Sequence, residues 1–120
     1  MNVYKKIEKE FDFLNKLGYK YEFYLGESMW VGPRFVVTVD CKKRRRNSYF
    51  LNLYITSLDK NYSLEELNNI LFRNDDLMEF YSCCSILSKI ELLSFFMKKY
   101  IEILENHELF NKRNNWNYKK

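Results

Sequence analysis

The chain has 120 residues, 47% of them apolar, and carries a formal net charge of +4 with a pI near 8.9. That is a single-domain length, able to bury one hydrophobic core without disulfides or a structural metal, and the apolar share excludes a disordered chain. Three cysteines, of which Cys83 and Cys84 are adjacent and Cys41 stands apart, argue against a disulfide framework and for small buried residues.

The most apolar stretch, Ile86 to Leu104, is interrupted by Lys89, Glu91, Lys98, Lys99 and Glu102, whereas a spanning helix needs about 20 mainly apolar residues. Met1 to Glu10 holds Lys5, Lys6, Glu8, Lys9 and Glu10 with no apolar run behind them, unlike a signal peptide. The expected location is therefore the cytoplasm. Ala and Gln are absent while Lys, Asn, Ile, Tyr and Phe are heavily used, a bias that reads as an AT-rich bacterial coding genome.

In chain order, Val3, Ile7, Phe11 and Leu14 share one helical face, so the spacing predicts an amphipathic helix from about Val3 to Leu17. Asn2 stands at its N-cap and Gly18 just past its end. Tyr19 to Leu25 alternates with a period of two and predicts a strand. Gly26 to Ser28 reads as a turn. Trp30 to Asp40 is β-branched and aromatic and reads as a second strand, with Pro33 marking an edge or a bulge. A third strand is expected from Tyr49 to Thr56, with Leu51, Leu53 and Ile55 on one face. Ser63-Leu64-Glu65-Glu66 has the spacing of a capping box and opens a short helix. Asn74-Asp75-Asp76 is a break. From there to about Phe110 the pattern is helical, in one or two pieces divided around Ser82 to Ser88. Its buried stripe is Ile86, Ile90, Leu93, Met97, Tyr100 and Leu104.

Strands that run together, followed by helices, indicate the α+β class. The expected architecture is an N-terminal helix, an antiparallel meander of three strands (or four), and two to three C-terminal helices packed on the sheet. Residues 1–110 form one domain and 111–120 a polar, frayed tail.

No catalytic or cofactor pattern stands out. His107, the sole histidine, lies near the end of the last helix, where a cation is favoured by the helix dipole. Cys83 and Cys84 lack the C-x-x-C spacing of zinc sites. Three glycines make no phosphate loop. The reading is a binding protein with no catalytic residue, no cofactor and no metal.

One feature is pronounced. Residues 1–60 hold 12 basic and 7 acidic side chains, and the excess gathers in Lys42-Lys43-Arg44-Arg45-Arg46, between the second and third predicted strands. Five cations in a hairpin loop repel one another unless an anion relieves them. That anion is an acidic protein surface or a phosphate backbone, with nearby Trp30, Tyr49 and Tyr54 able to stack on bases. The competing reading is a solvated loop with no partner, which keeps a sheet edge from aggregating. Aromatics make up 18% of the chain, and Tyr24, Phe50 and Tyr54 fall off the main apolar face. They are either a binding surface or a second buried face. The candidate contact residues are Lys43, Arg44, Arg45, Arg46, Trp30 and Tyr54.

The layout resembles a known class. Phe11-Asp12-Phe13-Leu14-Asn15-Lys16-Leu17-Gly18-Tyr19 closes a helix and enters a strand. Phe35-Val36-Val37-Thr38-Val39-Asp40, a charged turn and Tyr49-Phe50-Leu51-Asn52-Leu53-Tyr54-Ile55 follow. The Ser63-Leu64-Glu65-Glu66-Leu67 helix and a last helix ending at Tyr100 to Phe110 complete the order. This resembles the small α+β immunity proteins of bacterial polymorphic-toxin and contact-dependent growth-inhibition systems. The resemblance implies an inhibitor that binds a cognate toxin domain and blocks it by occlusion, with no catalytic residues of its own. Many immunity proteins that neutralise nucleases are acidic, and this chain is basic. The alternative is a small nucleic-acid-binding protein using the 42–46 hairpin.

Overall fold

The side-chain oxygen of Asn2 accepts hydrogen bonds from the backbone N–H groups of Tyr4 (2.9 Å) and Lys5 (3.4 Å). It thereby satisfies two of the donors that a helix start leaves unpaired, and α1 runs from there over Val3–Glu10. The computed structural model describes residues 2–45, 48–57, 60–70 and 85–106. The expected single helix to Leu17 is broken at Phe11. The Leu14 N–H turns to the Phe11 carbonyl (3.0 Å), and the Ser94 hydroxyl donates to the Glu10 carbonyl (2.6 Å). A side chain from another helix thus takes the acceptor that the next helical turn would have used. A second short helix, α2, covers Asp12–Lys16.

Five strands follow: β1 Lys20–Tyr24, β2 Glu27–Val31, β3 Phe35–Lys43, β4 Tyr49–Ser57 and β5 Asn61–Tyr62. They form one antiparallel sheet in the order β1-β2-β3-β4-β5. The expected count of three or four strands is corrected to five, for two reasons. The segment read as one strand from Trp30 to Asp40 is two strands joined at Pro33 and Arg34, where the Gly32 N–H closes on the Phe35 carbonyl (3.0 Å). Proline has no N–H for a ladder, so it sits in the turn rather than in a strand. The first turn is Leu25-Gly26, not Gly26 to Ser28, and Glu27 and Ser28 already belong to β2. The added two-residue β5 pairs with the end of β4, Ile55 opposite Tyr62.

Helix α3 covers Leu64–Ile70 and α4 covers Ile86–Glu105. The capping box forms as expected: Glu66 N–H donates to Ser63 Oγ (3.2 Å), and Ser63 N–H to Glu66 Oε1 (3.3 Å). Lys60 at 2.7 Å holds the Glu66 carboxyl below the usual carboxylate range. Helix α4 starts at Ser85, whose hydroxyl accepts from Ser88 N–H (3.3 Å), inside the interval where a break was expected.

One face of the sheet is the core. Tyr21, Trp30, Val37, Ile55 and Tyr62 stand opposite one another as a row across all five strands. The next row is Phe23, Ser28, Val39 and Leu53. The buried faces of α1, α3 and α4, including Ile7, Leu67, Ile90, Leu93 and Met97, join these residues in one cluster. Lys6 pins α1 to α4 at the rim, 3.1 Å from Glu10 and 2.7 Å from Glu91. The other face carries Glu22, Met29, Thr38 and Tyr54 in one row and Tyr24, Glu27, Asp40 and Asn52 in the next. The described helices' buried residues join the first face; the second face is mixed, with Thr38 buried, Glu27, Met29, Asp40, Asn52 and Tyr54 half-buried, and Glu22 and Tyr24 exposed. No helix among the described residues is long and apolar enough to cross a membrane.

Candidate binding surface

Antiparallel pairing brings two turns to the same end of the sheet. The Cys41 N–H donates to the Gly26 carbonyl (3.0 Å), which sets the β1–β2 turn beside the start of the basic hairpin. Leu25 and Gly26 both have positive φ, 49° and 83°, the pairing of a two-residue type I′ hairpin. Glycine suits its position, because a Cβ there would lie 2.9 Å from the Cys41 carbonyl oxygen. Leucine at the first position is unusual, since a branched side chain is disfavoured in the left-handed region. Its side chain is 71% exposed.

Across from this turn, Lys42 stands opposite Phe50 and Lys43 opposite Tyr49. The hairpin tip is closed by Arg44 N–H to the Ser48 carbonyl (2.7 Å) and Ser48 N–H to the Arg45 carbonyl (3.1 Å). Lys42, Lys43, Arg44 and Arg45 are all exposed. The Arg44 guanidinium lies over the Phe50 ring, 4.8 Å from its centroid, and an open recess of about 700 Å³ is lined by Arg44, Arg45 and Ser48. The expected contact residue Arg46 lies outside the described residues, as do His107, Cys83, Cys84, the Asn74-Asp75-Asp76 break and the 111–120 tail.

Exposed large apolar side chains concentrate at this same end. Among the described residues there are six, and four of them, Phe23, Tyr24, Leu25 and Phe50, flank the two turns. Tyr4 holds one side of the patch, with its hydroxyl donating to the Cys41 carbonyl (2.9 Å) and its ring edge-on to Phe23 at 5.3 Å. The result is an end of the sheet that carries four cations and four large apolar groups, with Phe23 on the core-face side and Tyr24 and Phe50 on the opposite face.

Trp30 is not on it. It is fully buried on the core face, stacked on Phe11 at 5.3 Å and tilted against Tyr21 at 5.0 Å. Its assignment as a contact residue is corrected, because the register of β2 turns it inward with Ser28. Its Nε1 has no hydrogen-bond partner among the described residues. Tyr54 is half-buried on the second face, opposite the buried Thr38, and four residues along β4 from Phe50, about 13 Å at strand rise. Its hydroxyl donates to Glu27 Oε1, and burial first, then that bond, pushes its pKa up to about 12. Phe23 and Leu25 escaped sequence reading because alternation assigned them to the core face of β1. That parity holds, but burial fades from Tyr19, which is buried, to Leu25, which is exposed. The available signal was a leucine immediately before the turn glycine.

The second face is acidic where the hairpin is basic. Glu27 and Asp40 are directly opposite one another, and Asp40 Oδ1 is buried without a hydrogen-bond partner among the described residues. Asp40 Oδ2 lies 3.7 Å from Lys42 Nζ. As for reactive groups, Cys41 is buried and desolvation pushes its thiol up to about 11, far from the low values of nucleophilic cysteines. Among the described residues no three His, Cys, Asp or Glu side chains converge to hold a metal ion. Arg34 donates to the Glu105 carbonyl (2.6 Å) and so caps the end of α4. No family model, no curated protein and no solved structure matches the chain.

Proposed function

We propose that this chain is a cytoplasmic protein-binding inhibitor of the immunity type, which occludes a cognate toxin domain without catalysis or a cofactor. The toxin class comes from the resemblance in layout. The observation that carries protein binding is the grouping of four exposed large apolar side chains with four cations at one end of the sheet. Aromatic anchors with Arg, set in a surface that is otherwise polar, are the composition of interface hot spots. The complementary surface is acidic with an apolar centre.

Three features favour a protein over a nucleic acid. Single-strand binders run the backbone through a positively charged groove and stack bases on exposed rings. Here the sheet face behind the hairpin holds Glu22, Glu27 and Asp40, which repel phosphate, and Trp30 is buried. The exposed Leu25 suits an apolar protein contact and offers no ring.

The test is capture from the native bacterium with tagged wild-type chain and the Leu25→Asp/Arg44→Glu variant as baits, with nuclease present. One stoichiometric protein, held by the wild type, lost by the variant and inhibited by the wild type in a toxicity assay, supports the reading. Binding abolished by nuclease and falling steeply with salt would instead move the hairpin to phosphate recognition.

A further inference from the structure

β1 is an edge strand, and its unpaired backbone groups can be identified. In a two-residue hairpin the residues flanking the turn exchange both hydrogen bonds, so Tyr24 bonds Glu27 across the Leu25-Gly26 turn. Lys20, Glu22 and Tyr24 therefore point their backbone groups at β2, while Tyr21 and Phe23 point theirs outward. Tyr19 adds only its carbonyl on that side, as its N–H is engaged by the Leu14 carbonyl (3.0 Å). The strand holds no proline, pairs with β2 without a bulge and is exposed at four of its five positions. Nothing among the described residues pairs with this edge. Lys20 and Glu22 stand two residues apart on the second face of the sheet, and neither has an ion-pair partner among the described residues.

We propose that this edge pairs with the same edge of a second copy of the chain, β1 antiparallel to β1 about a two-fold axis, with Tyr21 opposite Tyr21. Charge selects that register. It sets Lys20 of each copy opposite Glu22 of the other, at non-hydrogen-bonded positions where side chains are closest. Moving the second copy by two residues one way sets Glu22 opposite Glu22, and the other way Lys20 opposite Lys20. Like charges directly opposite are destabilising. In the selected register the two Tyr21 residues exchange both backbone hydrogen bonds, and the Phe23 N–H of each copy reaches the Tyr19 carbonyl of the other. Charges on an edge strand ordinarily keep strands apart. Here they are self-complementary, and β1 carries no net charge.

A two-fold contact joins groups that lie at opposite ends of one strand, because each surface meets its own counterpart. Such groups are present. Leu17, just before β1, is 50% exposed, and Phe23, near the end of β1, is 48% exposed. Pairing about Tyr21 brings Phe23 of each copy opposite Tyr19 and beside Leu17 of the other, so both apolar groups are covered at both ends of the contact. A foreign strand would have to supply the charge order and the apolar groups together, whereas the chain's own sequence already holds them in that order. The two five-stranded sheets join into one, with their basic hairpins at opposite ends. Each hairpin end keeps Tyr24, Leu25, Phe50 and its cations for the partner protein, so the inference goes beyond the binding reading and does not depend on it.

The test is sedimentation velocity of the full chain at concentrations up to millimolar, with hydrogen exchange followed at the Tyr21 amide. The expected result is association to twice the 14.8 kDa chain mass, with Tyr21 exchange slowing as concentration rises. Lys20→Glu and Glu22→Lys, each at an exposed position, should each weaken the dimer about tenfold or more, as two attractive pairs become repulsive. The Lys20→Glu/Glu22→Lys double variant should restore it, and the two single variants, mixed, should associate with one another more tightly than either does with itself. A chain that stays monomeric at millimolar concentration, or a dimer that neither single change weakens, would overturn the proposal. So would a double variant as weak as the single ones, or protection that grows with concentration elsewhere and not at Tyr21. Partner capture sensitive to Leu25→Asp/Arg44→Glu tests the binding reading separately, whichever way the dimer falls.

Discussion

The guanidinium of Arg44 lies over the ring of Phe50, 4.8 Å from its centroid, at the base of the basic hairpin. The contact holds one cation of the Lys42–Arg45 run against the sheet and keeps an exposed aromatic face in register with Lys42. An exposed cation–π pair contributes about 0.5–1 kcal/mol, so its consequence for folding is small and its consequence for recognition is larger.

Arg44→Ala and Phe50→Ala are each expected to change unfolding free energy by less than about 1 kcal/mol and to weaken partner binding. The double variant should lose less than the sum of the two, because either change alone already breaks the pair. Urea unfolding and calorimetric titration with the captured partner measure both quantities. Additive binding losses would show that the two side chains meet the partner separately.

Leu25 sits in the left-handed region with φ 49° and its side chain largely in solvent. Leu25→Asn relieves that backbone and should raise the unfolding free energy by roughly 1 kcal/mol, while partner affinity falls with the lost apolar contact. Stability and binding moving in opposite directions is the signature sought by thermal melts and titration. A destabilised variant would mean that Leu25 packs in the folded chain.

Tyr54 keeps its proton up to about pH 12 in the folded chain, against about 10 when unfolded. The group binds its proton more tightly when folded, so its contribution is complete below pH 10 and is lost as pH rises from 10 to 12. Tyr54→Phe should flatten that part of the stability profile and cost about 1 kcal/mol at neutral pH through the lost bond to Glu27. Ultraviolet titration of phenolate absorbance and urea unfolding at pH 9 to 12 provide the comparison, with an unchanged profile counting against the bond.

Ser94 is buried and donates to the Glu10 carbonyl at the α1–α2 break. Ser94→Ala leaves that carbonyl without its donor and should destabilise the fold by about 1–3 kcal/mol. A shift of the urea midpoint with an unchanged slope would fit; no shift would indicate that water replaces the hydroxyl.

Trp30 lies in the core row between Tyr21 and Val37. Trp30→Phe should therefore cost roughly 1–3 kcal/mol of stability by leaving a cavity and should not alter affinity per folded molecule. Weaker binding at matched folded fraction would return Trp30 to the interface.

Element types were legible because they rest on local periodicity. The period-two runs around Val37, Leu53 and Ile55, the Asn2 cap, the Ser63–Glu66 box and the Ile90 to Leu104 stripe are each specified within a few neighbouring residues. The environment of the sheet's second face was readable only as two alternatives, since alternation tells which residues share a face and not what covers it.

The chain by itself determined the α+β class, the order of its elements and the position of the basic run, since these follow from local hydrogen-bonding preference and side-chain spacing. Tertiary structure decided that helix one breaks at Phe11, that Trp30 is core, and that Phe23, Tyr24, Leu25 and Phe50 lie at the same end of the sheet as the hairpin cations. Each of those depends on a contact between residues distant in sequence, Ser94 with Glu10, Phe11 with Trp30, Gly26 with Cys41. Such contacts come from strand register and helix packing, which no local pattern encodes.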